Sequence, residues 1–320
     1  MQAIKYFLLI LTILAYSCSK EVSSSPDLSG IESDPEIIRF EELFYTSDEE
    51  QLPDLKSKYP FLFPEPNPDS IWVNKMKDED ELYLFRESEK IFKDFSEQER
   101  RLESLFKHMK YYFPTFEEPR VITVISQVDY NNKVIYADSL LFISLDLYLG
   151  KGHEVYQNFP NYVKQNYDKD HMIVDVANAL VGPVLRPTLN NSFIARMVQE
   201  GKRLKLVELL LQKLPEADIM GYDSEQWEWA EISESDIWKY FIQNELLYST
   251  DSELSKRFIE DAPFSKFYME VDHDSPGRIG AWLGWRIVDS YMSQNDVGVK
   301  DLILADNEEL FRQSRYKPSK

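Results

Sequence analysis

Four histidines and a single cysteine make up the chain's supply of imidazole and thiol groups. His171 stands four residues before Asp175, a spacing that on a helix puts both on one face, as metal ligands are placed. A local polar contact at a helix end accounts for the same pair. His108 falls near the end of a helical stretch, where the C-terminal dipole explains it, and His153 follows Lys151-Gly152 in what reads as a solvated loop. His273 lies in Asp272-His273-Asp274-Ser275-Pro276, which reads as the approach to a helix with Ser275 as N-cap and Pro276 in the first turn. Glu200 is more informative. In residues 191–214 the positions Phe193, Met197, Glu200, Leu204, Val207, Leu211 and Leu214 step alternately by four and three, which defines one core-facing helical seam with a carboxylate inside it. An ionised carboxylate there costs several kcal/mol unless it is paired or coordinated. Glu200 is therefore a metal ligand, a buried base, or the partner of a nearby Arg or Lys. No phosphate-binding glycine loop, Gly-x-Ser-x-Gly elbow or His-Glu-x-x-His is present. Metal chemistry would need an unorthodox set such as His171, Asp175 and Glu200.

Cys18 follows a short apolar run, residues 6–16, with Lys5 ahead of it, the outline of a signal peptide over residues 1–17. Eleven helical residues span only about 17 Å, well short of a bilayer core of roughly 30 Å. Leu14-Ala15-Tyr16-Ser17 before Cys18 resembles a relaxed bacterial lipobox, so Cys18 is expected to be lipidated. With no other cysteine, an intramolecular disulfide is impossible in spite of export. Buried acyl methylenes contribute about 0.8 kcal/mol each, so several chains on one sulfur would anchor the protein firmly. Residues 18–35 are rich in Ser, Glu, Asp and Pro and read as a flexible tether.

The elements that must position these groups follow from composition and periodicity. The chain has 320 residues with 43% apolar and 14% aromatic side chains, enough for a folded, aromatic-rich core. Its formal charge of −20 excludes binding to the phosphate backbone of nucleic acid as its main business. Residues 36–116 show helical spacing interrupted by prolines, with a long helix over 79–109. Residues 120–149 turn β-branched, with a turn at Asn131-Asn132, and are expected to form a small antiparallel sheet. The remainder reads as helices over 170–184, 191–214, 224–247, 252–261, 276–292 and 296–305. The expectation is an α+β protein, predominantly helical, with an α+β lobe over 36–168 and a helical lobe over 169–320. The helix at 276–292 holds Gly277, Gly280 and Gly284, which implies a tight helix crossing or a ligand pressed against the backbone. Trp227, Trp229, Trp238, Tyr240 and Phe241 form an aromatic cluster that suits a core or, where exposed, a partner or a glycan.

Several blocks, in one order, carry a resemblance: residues 59–64 (Tyr-Pro-Phe-Leu-Phe-Pro), 145–150 (Leu-Asp-Leu-Tyr-Leu-Gly), 245–251, 262–267 and 275–280 (Ser-Pro-Gly-Arg-Ile-Gly), continued by 284–288. Over 37–318 the chain resembles the gliding motility lipoprotein GldB family. The resemblance implies a lipid-anchored envelope protein needed for gliding and linked to type IX secretion, outer-membrane bound and facing the periplasm or the surface. It implies no enzymatic activity and no cofactor. Partners would be other gliding or secretion envelope proteins, with no nucleic acid and no small-molecule substrate, and Trp227, Trp229, Trp282 and Trp285 are the candidate partner-binding residues. More distantly, the order of elements is similar to predicted zinc peptidases, implying a zincin-like scaffold. If residues 172–181 are laid on their metal helix, the ligand positions fall on Asp175 and Ala179 and the base on Val176, so one ligand survives and the base is gone. A zinc metallopeptidase with unorthodox ligands and a surface-polysaccharide binding module are the alternatives.

Overall fold

The computed structural model describes residues 26–64, 66–188 and 190–319. The signal segment, Cys18 and the first part of the tether lie outside the described residues.

Four short strands and seven principal helices carry the architecture. In chain order they are β1 (Ile37–Arg39), α1 (Glu79–Phe92), α2 (Ser96–Tyr112), β2 (Arg120–Val124), β3 (Val134–Ala137), β4 (Leu140–Ser144), α3 (Met172–Val181), α4 (Phe193–Leu210), α5 (Ser224–Gln243), α6 (Ile279–Gln294) and α7 (Asn307–Ser314). The sheet order is β1-β2-β4-β3. β1 runs parallel to β2, and β2 parallel to β4, with Ile37 opposite Val121 and Val121 opposite Leu141. Only the β3–β4 hairpin is antiparallel, turning through Asp138 at φ 52°. The small antiparallel sheet expected from sequence is therefore a mixed one. β-branched residues mark strands but not neighbours, and the chain between β2 and β3 passes the place that β4 later fills.

Alternation sorts the strand residues between two cores. Ile38 and Ile122 face a smaller cluster with Phe44, Leu55, Tyr59 and Phe63. Val121, Leu141 and Ile143 face the main core, which runs without a break from Phe92 to Leu310. The boundary expected at 168/169 thus coincides with no break in packing. The long helix expected over 79–109 is two helices, separated at residues 93–95, where Phe92 and Phe95 both turn inward with rings 6.1 Å apart.

The centre of the molecule is the crossing of α4 and α6. A Cβ on Gly284 would lie 1.9 Å from the Met197 carbonyl oxygen, and one on Gly201 2.2 Å from the Gly284 carbonyl. Backbone meets backbone here, which explains the glycines of α6 by packing. α6 begins at Ile279, later than sequence suggests, because Arg278 takes a left-handed conformation, φ 63°, and Ser275 is spent on the Ser265 and Asp272 carbonyls.

The tether also differs from expectation in its described part. Pro26 and Leu28 line a groove against α2 and the end of α4, Lys110 Nζ donates to the Glu32 carbonyl at 2.8 Å, and Pro35 is buried. The body starts by Pro26, not Glu36.

Candidate functional site

A cleft of roughly 690 Å³ opens between the loop after β2, α3, α4 and the start of α6, and His171, Asp175 and Glu200 all line it. His171 also lines an adjoining cavity of roughly 550 Å³, together with Tyr148, Asp168 and Tyr222.

The loop is held from below by Asp146, which is fully buried. Its carboxylate accepts the Ser126 and Val128 amides at 2.9 and 2.6 Å and the Ser126 hydroxyl at 3.1 Å. Gln127 and Val128 are both held at φ 59°, a costly conformation for a β-branched residue. Burial pushes the Asp146 carboxyl above its usual range, against those hydrogen bonds. The strained turn sends Tyr130, Asn131 and Lys133 into the cleft.

Lys133 Nζ sits 2.8 Å from Asp175 Oδ2, and the Tyr148 hydroxyl donates to the same oxygen at 2.9 Å. His171 Nε2 is 3.9 Å from Asp175 Oδ1, one helical turn away. Burial works to raise the Asp175 carboxyl, but Lys133 and His171 outweigh it and hold the group below its usual range. For His171, burial lowers the imidazole's pKa, with Lys133 and Arg278 adding to the effect and Asp175 opposing it. The ring is therefore neutral at pH 7. Across the cleft Glu200 is half-buried and paired with Arg203, whose Nε lies 2.9 Å from Glu200 Oε2. Arg203 Nη1 also donates to Asn178 Oδ1 at 3.2 Å. Arg278 donates to the Met220 carbonyl at 3.2 Å and stands 3.4 Å from Asp261.

The structure thus brings the three sequence candidates to one cleft but not into one ligand set. Each carboxylate is engaged by a cation. Among the described residues, the only three acidic or imidazole groups with ligand atoms within 4.8 Å of one another are Glu41, Glu42 and Glu89, beside Arg39 and outside the cleft. Glu200 is explained by its arginine, and the seam it shares with Phe193 and Leu204 opens to the cleft at that one position.

Two of the four tryptophans are misplaced as partner contacts. Trp282 and Trp285 are 1% and 0% exposed, because α6 presents nearly every face to other helices. Trp285 Nε1 donates to Glu208 at 2.9 Å. Trp227 is half-buried, edge-on to both rings at 6.3 and 6.4 Å, with the Arg286 guanidinium 5.8 Å from its centre. Trp229 is half-buried against the main core. The other histidines do structural work: His108 bonds to the Ser104 carbonyl at 2.8 Å, His153 reaches Glu87 on α1 at 3.3 Å and is not merely solvated, and His273 packs edge-on against Phe264.

Residue-by-residue reading missed Lys133, Tyr148 and Arg278, and asked for an Arg or Lys beside Glu200 without naming Arg203. The signal for two of them lay in blocks: Leu145-Asp146-Leu147-Tyr148-Leu149-Gly150 supplies both the loop clamp and the Asp175 donor, and Ser275-Pro276-Gly277-Arg278-Ile279-Gly280 supplies the cleft arginine and the entry to α6.

A mixed four-stranded sheet, packed on a helical body whose central crossing forms one wall of a polar cleft, defines the molecule as an α+β protein with one principal core. The profile of the family described as gliding motility protein GldB matches residues 21–318. The chain belongs to that family, one of gliding-motility lipoproteins of the cell envelope. No curated protein and no solved structure matches it. No described helix is long and apolar enough to cross a membrane.

Proposed function

We propose that this protein is a component of the gliding machinery, linked to type IX secretion, that is fixed to the outer membrane by lipid on Cys18 and acts by binding envelope partners without catalysis. The observation that carries the reading is the family match over nearly the whole chain, joined to a cleft whose carboxylates are already committed. Asp175 is held by Lys133 and Tyr148, and Glu200 by Arg203. A catalytic zinc site needs about three protein ligands and an open position. Presenting Asp175 and Glu200 to a metal would require breaking both ion pairs. The zincin-like resemblance is accommodated as a scaffold with its ligand positions replaced.

The test has two arms. The Cys18→Ala protein should leave the membrane fraction, and quantitative retention there would contradict the anchor. Crosslinking in living cells should capture other gliding or secretion proteins. Stoichiometric zinc in the purified protein, lost together with peptide cleavage on replacing His171, Asp175 or Glu200, would replace the binding reading with a metallopeptidase.

A further inference from the structure

We propose that the cleft beside His171 binds a neutral oligosaccharide segment. This goes beyond the protein-binding reading and stands or falls independently of it. Three features select the ligand class. First, six of the cleft's charges neutralise one another in pairs, Lys133 with Asp175, Arg203 with Glu200 and Arg278 with Asp261, and Glu260 is the one lining charge without an ion-pair partner among the described residues. On a chain of net charge −20, that leaves a cleft with little preference for an ionic ligand. Second, polar groups stand open to it. Tyr167 lines the cleft, and its hydroxyl makes no hydrogen bond among the described residues while staying open to solvent. The neutral His171 ring, 3.9 Å from its nearest carboxylate, is beyond hydrogen-bond reach of it and retains one donor and one acceptor. These groups reach the cleft with hydrogen-bonding capacity that the described residues leave unused, and a ligand carrying many hydroxyls suits them. Third, the ring of Tyr130 stands at the rim, 50% exposed. Its contact with Phe159 is edge-to-face at 5.7 Å and 68°, and an exposed aromatic face suits the apolar C–H face of a sugar ring.

A polypeptide fits less well. Of the aliphatic lining residues, Ile219, Met220 and Ile259 are buried and Val163 is half-buried, which offers little surface to a hydrophobic anchor side chain. The tryptophans that sequence suggested for a glycan, Trp227, Trp229 and Trp238, are half-buried against the main core, so the saccharide reading moves to the tyrosine-rimmed cleft.

The protein, purified in a polyoxyethylene detergent free of sugars, is titrated calorimetrically with neutral hexasaccharides of α-1,4-glucose, β-1,4-glucose, mannose and N-acetylglucosamine. An acidic hexagalacturonate and an unstructured decapeptide are titrated in parallel. At least one neutral hexasaccharide should saturate with Kd below about 1 mM. Tyr130→Ala should weaken it by about tenfold, and Tyr167→Phe, which removes only the hydroxyl, by about two- to tenfold without changing the melting temperature. Ile232→Ala, on exposed α5, should leave it unchanged. Absence of binding by every neutral hexasaccharide overturns the proposal. So does binding that both tyrosine variants retain, or binding of only the acidic saccharide or the decapeptide.

Discussion

Lys202 is the residue whose chemistry most conflicts with its surroundings. It is 2% exposed on α4, and its Nζ donates to the Ala305 carbonyl at 2.6 Å. Burial brings its pKa down to about 8, with Asp306 opposing. The folded state therefore releases this proton earlier than the unfolded chain, whose lysines hold theirs to about 10.4. Between about 8 and 10.4 the unfolded state binds more protons, so stability should rise with pH across that window. Denaturant melts at several pH values check this, and Lys202→Met should remove the rise. His171 gives the same sign at lower pH. Its folded pKa lies below the ordinary value of about 6.5, so stability should fall as pH drops through 6.5 towards that lowered value. His171→Phe should flatten this stretch of the curve; an unchanged slope would mean that the imidazole is solvated. Asp175 contributes at the acid end, with stability present above the usual carboxylate range and lost as pH falls through its depressed folded value. Much at this scale was legible: the Glu200 seam required a counter-charge, and Arg203 stands three residues on. Lys133 was not, because an exposed-looking lysine after a turn acquires its partner only when the fold brings α3 alongside β3.

At the scale of elements, periodicity located the helices and strands, and the glycines at 277, 280 and 284 foretold close packing, of which Gly284 makes the crossing of α6 with α4. What periodicity lacked was connectivity. Strand chemistry is silent on whether neighbours run parallel, and the break between α1 and α2 is set by two phenylalanines turning into the core, not by a proline or glycine. The crossing itself is sharply testable. Alanine at position 284 would gain up to about 1 kcal/mol of helix propensity. It would also place a methyl 1.9 Å from the Met197 carbonyl, forcing the helices apart. Gly284→Ala should lose at least about 3 kcal/mol in chemical denaturation. A loss under about 1 kcal/mol would show that α4 and α6 can separate freely. Gly298→Ala, where the nearest atom to a new Cβ is 3.8 Å away on a side chain, is the tolerant control.

For the whole molecule, composition and periodicity correctly set the class, but a boundary drawn where strands give way to helices marks no boundary in packing. A core continuous from Phe92 to Leu310 should unfold in one cooperative transition, seen as coincident loss of near- and far-ultraviolet circular dichroism. The N-terminal strap belongs to that unit. A chain beginning at Glu36 should be less stable than one beginning at Pro26 by about 1–2 kcal/mol, since the groove would lose the cover of Pro26 and Leu28 and the body the buried Pro35. Equal midpoints would return residues 26–35 to the role of a loose spacer.

The strap also fixes a distance. Pro26 is eight residues on from Cys18, and fully extended backbone covers at most roughly 3.5 Å per residue. Under the proposed lipidation of Cys18, the corner of the body at Pro26 would stay within about 28 Å of the lipid headgroups. A protein so moored would work close to its membrane, and whatever it grips would have to come to within a body's length of the bilayer.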